Sequence, residues 1–478
     1  MMRASAAIER CGIPTTSILI TGYIKQGRLV SRSQGMKDLT ISEYPDTMMT
    51  DTYEEMSEKV CTAVCDAVVK NLTQMPKPLP DPTAGLKEPE KQDIIFKGDL
   101  EKVQAFFHKN MWTDGLPIVP PTLERIERFL AFTNRNPDET IAIFPHEKRE
   151  LTIWNVAING VMAGCRPEYM PILVAIADAM NDKGDPNDQF HNSGFRPMDI
   201  GTSPGWEPLV IVSGPIAKEL NFNNGQGILR FGHQSNSTIG RFVKLLCINV
   251  GGFRIPPGTG DKGSLGQPTN VAIAENEEFT HKIGWPTLAM DKGFGQEENV
   301  VTVMSSAYIS APCYSGGGTG LEHLQTLENE IGRQSFGLYC TWGPQYGHFE
   351  PLLIIAPPVA EKLAMDGWTK NKIRQHFFDN VFVTAGYMLK HWREFNGVYF
   401  DFAAQVEKGY LPAWYHESDD PERPIHVLMK PEDLQIMIGG DPARNQSKGI
   451  TQSGHIGVPC SRRIELPGNW KELRRKYR

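Results

Sequence analysis

The chain has 478 residues, of which 40% are hydrophobic and 22% are charged, and its formal net charge is −7. This composition is typical of a globular protein with two or three domains, and the acidic balance argues against binding to nucleic acid. No apolar run reaches the ~18–20 residues of a membrane span, and the cysteines have neither disulfide-framework nor zinc-site spacing, so we expect a cytoplasmic protein without membrane or metal sites.

The first 75 residues predict a small α/β domain. A helix over residues 1–11 precedes strands in GIPTTSILITG and LTISEYP, and Asp51 or Thr52 can cap a long helix after them. An α/β unit normally opens with a strand, so we expect an incomplete Rossmann-like sheet whose edge strand pairs with another chain or stays uncovered, which favours an oligomer. Cys61 and Cys65, four residues apart, are expected to be small buried residues.

Residues 76–92 are rich in proline and charge and predict a linker, and residues 93–478 predict a larger α/β domain. Four segments of that domain are strand-like: EPLVIVSG, NVAIAENEE, VVTVMSSA and PLLIIAPP. In the second of them we expect Glu275 and Glu277 to lie in a solvated turn, with a pair of acid–base carboxylates as the alternative.

Two stretches of the larger domain resemble each other. Residues 207–225 and 350–368 share a strand, a proline turn, a short helix and a glycine turn in the same register. We interpret them as parts of two related halves, with convergence on a common pattern as the alternative. Such halves would meet at a cleft, where small ligands usually bind.

The segment RFGHQSNSTIGRF, residues 230–242, concentrates polar side chains before a buried helix. We expect Ser237 or Thr238 to cap that helix, so that its unpaired N–H groups bind the anionic group of a substrate. His233 and Asn236 would orient the ligand, and Arg241 would bind the same anion with its two-pronged guanidinium. The alternative is a capped structural helix.

Further candidate residues lie in loops and at helix starts. Cys165 in AGCRPEY and Cys313 in APCYSGGGTGLEHL are candidate nucleophiles, because a nearby cation or helix start lowers a thiol pKa. A buried thiol and a flexible loop are the alternatives. The remaining candidates are polar residues that follow or precede strand-like segments and suit acid–base work or substrate binding, namely His191, Arg196, His323 and His348.

Several segments together resemble the UGSC family, which is named for a selenocysteine/cysteine–Gly–Ser–Cys motif. They are ERCGIPTTSILITG, EYPDT, WTDGLPIVPPTLERI, GCRPEYMPILVAI, PLVIVSGPI, NSTIGR, GQPTNVAIAENEE, DGWTKNKIRQ and RRIELPGNW. The resemblance implies a thiol or selenol redox step, but the motif would precede ERCGIP and does not occur in this sequence. A small partner chain would then supply the motif and the first strand, or the thiol chemistry has been lost.

These observations favour an enzyme that acts on a small anionic substrate, with redox chemistry suggested by the resemblance. The sequence has no fingerprint for a nucleotide, flavin or haem, so the cofactor is left open. A cofactor-independent lyase or hydrolase is one alternative. A non-catalytic subunit that supports a separate redox chain is the other.

Overall fold

A computed structural model describes residues 1–76, 92–144, 149–182, 207–255, 271–396, 400–453 and 457–477. Most of the expected linker, together with His191 and Arg196, therefore lies outside the described residues. No helix within these ranges is both long enough and apolar enough to cross a membrane. The chain is an α/β protein.

The N-terminal unit contains four α-helices and two strands in its described residues. They are α1 (Met2–Glu9), β1 (Thr16–Ile20), α2 (Ile24–Ser33), β2 (Thr40–Tyr44), α3 (Tyr53–Lys59) and α4 (Cys65–Thr73). The two strands are parallel, with Thr16 opposite Thr40, and α2 connects them as in a βαβ unit. Sequence reasoning missed α2, in which Gly27 allows close approach to the sheet: a Cβ there would lie 2.4 Å from Leu19 Cδ1.

The long helical segment of this unit does not bury its cysteines. A π-helical turn, Val60–Val64, joins α3 to α4, and Val64 is the buried residue of that turn. The Asn71 side chain donates to Ile41 O at 3.2 Å, so this face of the segment is the one that packs on β2. Cys61 and Cys65 are both exposed, and the expectation of buried cysteines is wrong. The expected partner for the edge of this sheet stays a prediction.

The larger body alternates helices and strands. Its first half contains α5 (Leu100–Lys109), α6 (Leu123–Leu130), β3 (Thr140–Phe144), β4 (Arg149–Thr152), α7 (Ile153–Ala163), α8 (Met170–Met180), β5 (Glu207–Ser213), α9 (Pro215–Glu219), α10 (Gln234–Asn249), β6 (Ala272–Ala274), α11 (Glu277–Lys282), α12 (Leu288–Asp291) and β7 (Val300–Ser306). Then follow β8 (Tyr308–Ile309), β9 (Cys313–Tyr314), α13 (Gly320–Leu327), a π-helix (Glu328–Phe336), α14 (Trp342–Tyr346), β10 (Leu352–Ile355), α15 (Pro357–Met365), α16 (Lys370–Asn380), β11 (Phe382–Thr384), α17 (Ala385–Asn396), α18 (Phe402–Glu407), β12 (Pro424–His426), β13 (Gln435–Ile438), β14 (Gln446–Thr451), β15 (Cys460–Arg463) and α19 (Trp470–Tyr477).

Two main sheets share one arrangement of strands. The first has the order β15-β7-β5-β6, and the second has the order β8-β14-β10-β13, with β9 also paired to β14. In each sheet the central strand, β5 or β10, has a parallel neighbour on one side and an antiparallel neighbour on the other. The common order supports the interpretation of two related halves.

The two sheets pack face to face between two layers of helices. Leu209 and Ile211 of the first sheet share one apolar cluster with Leu352 and Ile354 of the second. The alternate residues of β5 point to α7, α8 and α10, and those of β10 point to the helices of the second half. Side chains therefore fill the space between the sheets, and an open cleft between the halves must be sought at their edges instead.

The halves exchange their last strands. After β7 of the first sheet, the chain forms β8, which pairs with β14 of the second sheet. After β14 of the second sheet, the chain forms β15, which pairs with β7 of the first sheet. Where the two crossings meet, Ala307 N donates to Thr451 O at 2.8 Å and Ser453 N donates to Ser305 Oγ at 3.0 Å. Neither main sheet is complete without a strand from the other half.

Candidate functional site

The polar segment before α10 forms a helix start that differs from the expected one. The helix begins at Gln234 with His233 as its N-cap residue, and the His233 side chain makes no capping hydrogen bond. Ser237 and Thr238 lie inside the first turns, where Thr238 Oγ1 donates to Gln234 O at 2.8 Å and Ser237 Oγ accepts from Gly232 N at 3.3 Å. The expectation that one of them caps the helix is wrong, because the N-cap residue, His233, lies four positions before Ser237.

The Asn236 side chain hydrogen-bonds the start of α10 to neighbouring backbone. Its Oδ1 accepts from Asn223 N at 2.8 Å, and its Nδ2 donates to Asn223 O at 3.0 Å and to Ala272 O at 2.9 Å. The side chain is 1% exposed. Lys370 makes the matching contact in the second half, where its Nζ donates to Ile436 O at 2.8 Å in β13. These contacts give Asn236 a structural role.

Arg241 binds a carboxylate of the chain itself. Its Nε donates to Asp114 Oδ2 and its Nη2 donates to Asp114 Oδ1, both at 2.9 Å. The same Nη2 donates to Pro117 O at 2.8 Å. Both side chains are largely buried, at 19% and 12% exposure. The anion expected at the guanidinium is therefore Asp114 in this structure, and Arg241 positions the loop that carries it.

A cavity of about 330 Å³, which we call the α10 cavity, lies beside this ion pair. It is lined by polar and charged residues and by apolar ones: His108, Thr113, Asp114, Gly115, Lys244, Arg254, Met111, Ile248 and Ile255. Arg241, Lys244 and Ile248 lie on one face of α10, because residues three, four and seven apart on a helix are neighbours. The helix thus presents its side, rather than its first turn, to the cavity.

The loop that carries Asp114 is fixed at several points. Asn249 Nδ2 donates to Trp112 O at 3.2 Å, and Gln104 pairs with both backbone groups of Ile118, accepting at 3.0 Å and donating at 2.7 Å. Gly115 has a φ of 86°, a conformation that favours glycine in the turn. The cavity wall is therefore held in place before any ligand binds.

Cys165 lies close to the same helix start but in surroundings that oppose reactivity. Burial raises the pKa of its thiol to about 12, although Thr238 and the charge of Arg241 act in the opposite direction. Its side chain is buried. The nucleophile hypothesis for Cys165 depends on a lowered pKa, which these surroundings do not provide.

Cys313 and His323 lie together in the second half. His323 Nδ1 and Ser315 Oγ are 2.9 Å apart, and Asn445 hydrogen-bonds to the Ser315 carbonyl. Burial lowers the pKa of His323 and raises that of Cys313 to about 11. Because Ser315 is fully buried, this cluster forms part of the packing between β9 and α13.

The other candidate histidines are dispersed. His233 is exposed at the start of α10, and His348 is half-buried before β10. Neither of them is among the residues that line the α10 cavity. Within the same ranges, no group of three or more His, Cys, Asp or Glu side chains is placed to hold a metal ion.

The acidic segment after β6 is not a solvated turn. Glu275 is 1% exposed, and its Oε2 accepts from Leu288 N at 2.6 Å. Lys370 Nζ lies 3.7 Å from Glu275 Oε1 and 3.1 Å from Asp291 Oδ2. Burial raises the pKa of Glu277 to about 7. The solvated-turn expectation is wrong because Glu275 is buried against Lys370 of the second half and Glu277 Oε1 accepts from Gly214 N at 2.8 Å.

Sequence reasoning missed most residues that line the α10 cavity. Asp114 lies in the Asp–Gly turn of WTDGLPIVPP, a segment noted only for its resemblance to a family. Lys244 follows Arg241 by three residues, so helical periodicity could have placed both on one face. His108 and Arg254 belong to distant segments, and no sequence spacing brings them together.

Comparison with known proteins identifies the N-terminal unit. Residues 1–74 match the UGSC family. No curated protein and no solved structure matches the chain. The family resemblance of the later segments lies outside the match and stays a prediction. Over residues 1–74, the chain is therefore similar to the UGSC family.

Proposed function

We propose that this protein is an enzyme that binds a small anionic substrate in the α10 cavity. The observation that carries the proposal is the chemistry of the cavity wall, where Lys244, Arg254 and His108 lie beside the apolar Met111 and Ile248. The cavity has the size of a small-molecule site, which is typically about 300–1,000 Å³. Its mixture of cationic and apolar groups suits a short organic carboxylate or phosphate.

The cations around the cavity suit an anionic ligand. Arg241 pairs with Asp114, and Lys244 pairs with Glu207 at 2.7 Å. Arg254 adds a second guanidinium, in the cavity wall, and a guanidinium is suited to bind an oxyanion through two hydrogen bonds.

The redox part of the proposal rests on the N-terminal unit. Cys11, Cys61 and Cys65 are exposed there, whereas the other five cysteines of the chain are buried. A thiol-linked reduction would join two thiols in a disulfide and transfer two electrons and two protons to the substrate. Exposed thiols in a UGSC unit suit this step better than Cys165, whose high pKa keeps it protonated.

One observation favours a second candidate function. His108 and Asp114 line the same cavity, and such a pair can move protons without any thiol. A cofactor-independent lyase or hydrolase is therefore the alternative. The two candidates differ in whether activity survives alkylation of the exposed cysteines.

Binding of small anions tests the proposal. Wild-type protein and the Arg254→Gln variant would be titrated with inorganic phosphate and a panel of short carboxylates, using calorimetry. We expect either phosphate or the carboxylates to bind the wild-type protein. The same ligands should bind Arg254→Gln at least about tenfold more weakly, because a charge-assisted contact contributes roughly 1.5–3 kcal/mol. The matched control is Lys218→Gln, which removes a cation from a largely exposed ion pair.

Two results would contradict the proposal. One is that no small anion binds the wild-type protein. The other is that Arg254→Gln and Lys218→Gln behave alike, since the cavity cation would then contribute nothing to binding.

A further inference from the structure

A second cavity, of about 640 Å³, lies between α8, the loop 133–139 and β15 with the residues that follow it. We call it the α8 cavity. One wall is a stripe along α8 formed by Pro171, Val174, Ala175 and Asp178, at the spacing of a single helix face. Phe294 adds an aromatic ring. The cavity shares no lining residue with the α10 cavity.

The opposite wall presents groups of both charges in a row. Ser461, Arg462, Arg463 and Glu465 all line the cavity. Arg463 uses its Nε to bind Glu298, and its guanidinium lies 5.5 Å from the centre of the Phe294 ring. Within the described residues, the exposed carboxylate of Glu465 has no partner.

The rest of the charged lining is already paired. Arg135 donates to Glu139 at 2.6 Å through Nη2 and to Asp178 at 2.5 Å through Nη1. Arg462 pairs with Asp182. Among the residues that the structure describes, Arg463 binds Glu298 through Nε alone, so its Nη groups and the Glu465 carboxylate are the charged groups left for a ligand. The two groups have opposite signs, so a ligand with a single charge would meet only one of them.

The spacing of the two outer charges limits the ligand further. Arg463 ends β15 and Glu465 follows two positions later, so both charges extend from one short stretch of the cavity wall. A ligand with adjacent opposite charges can meet both through one charge-assisted hydrogen bond at each end. The apolar stripe of α8 and the Phe294 ring would cover the remainder of the ligand.

We infer that the α8 cavity binds a zwitterionic α-amino acid with an apolar side chain. Its carboxylate meets Arg463, its ammonium group meets Glu465, and its side chain packs between Phe294 and the α8 stripe. This site is separate from the anion site of the proposed function, so either can be present without the other.

Three related ligands test the inference. L-phenylalanine carries both charges, N-acetyl-L-phenylalanine keeps only the carboxylate, and L-phenylalaninamide keeps only the ammonium group. Ligand-detected NMR titration of the full chain should give binding of L-phenylalanine at least tenfold tighter than that of either analogue. Arg463→Gln should remove the preference over the amide, and Glu465→Gln should remove the preference over the N-acetyl compound.

A matched control separates ligand contact from local structure. Glu298→Gln breaks the salt bridge of Arg463 but changes no residue that lines the cavity. We expect this variant to bind L-phenylalanine as the wild type does. Three results would each overturn the inference: no binding to the wild type, equal binding of all three ligands, or equal loss in Glu298→Gln and Arg463→Gln.

Discussion

Replacement of Arg241 by lysine tests whether Arg241 forms a structural ion pair or contacts the substrate. The variant keeps the positive charge but cannot donate to both oxygens of Asp114, which Arg241 reaches at 2.9 Å each. At least one charge-assisted hydrogen bond is lost, and each contributes roughly 1.5–3 kcal/mol. Because the pair is about four-fifths buried, we expect the free energy of unfolding to fall by about 1.5–3 kcal/mol.

Denaturant unfolding of a double-mutant cycle measures this effect. The cycle combines Arg241→Lys with Asp114→Asn, and direct contact predicts a coupling energy of about 1–3 kcal/mol. The control is Lys218→Gln, whose ion pair with Glu278 is more than 80% exposed and should contribute less than ~1 kcal/mol. Unchanged unfolding of Arg241→Lys, together with weakened anion binding, would refute the reasoning and make Arg241 a ligand-binding residue.

Three other predictions concern thiols, pH and the buried charges. Native protein treated with an alkylating reagent at neutral pH should be modified first at the exposed cysteines, Cys11, Cys61 and Cys65, and last at Cys165, because burial and a raised pKa protect the latter. The pKa of Glu277 is raised to about 7, so its protonated form favours folding; this contribution is complete below pH ~4.5 and lost as the pH rises through 7. Glu277→Gln should therefore flatten the change of unfolding free energy between pH 5 and pH 8. Lys370→Met should lower that free energy by roughly 3–5 kcal/mol, because it leaves the buried Glu275 without its cation and leaves Asp291 with Arg374 alone.

Each of these predictions has a result that contradicts it. Rapid labelling of Cys165 in folded protein would show that the helix start opens readily. Identical pH profiles for wild type and Glu277→Gln would mean that another group causes the pH dependence of unfolding. Glu328 and Asp433, whose pKa values are also raised, would then be the candidates. The control for Lys370→Met is Lys372→Met on the same helix, where the lysine is exposed; equal losses would exclude the buried network as the cause.

The sequence predicts the strands of this protein better than their assembly. EPLVIVSG and PLLIIAPP contain continuous apolar runs because β5 and β10 are buried on both faces, between a helix layer and the other sheet. Nothing in those runs indicates that two sheets pack face to face. The repeat between 207–225 and 350–368 indicates related halves, yet it does not show that the halves exchange strands.

The candidate site was predictable only in part. Polar residues around α10 indicate an unusual helix start. Hydrogen-bonding capacity alone, however, does not distinguish a ligand-binding residue from a structural one such as Asn236, whose side-chain amide hydrogen-bonds to backbone groups. Arg241 indicates that an anion lies nearby. That anion, Asp114, is 127 positions away in the chain, and only the fold brings the two together.

The exchange of end strands has a consequence for synthesis of the chain. The first sheet contains strands from residues 207–306, but β15, which pairs along β7, lies at residues 460–463. A ribosome must therefore add more than a hundred further residues before the open edge of β7 is covered. During that interval β7 presents unpaired backbone to other chains, so a nascent molecule is most exposed to mispairing when its first half is already made. We expect molecules truncated before β15 to be recovered bound to chaperones or as aggregates.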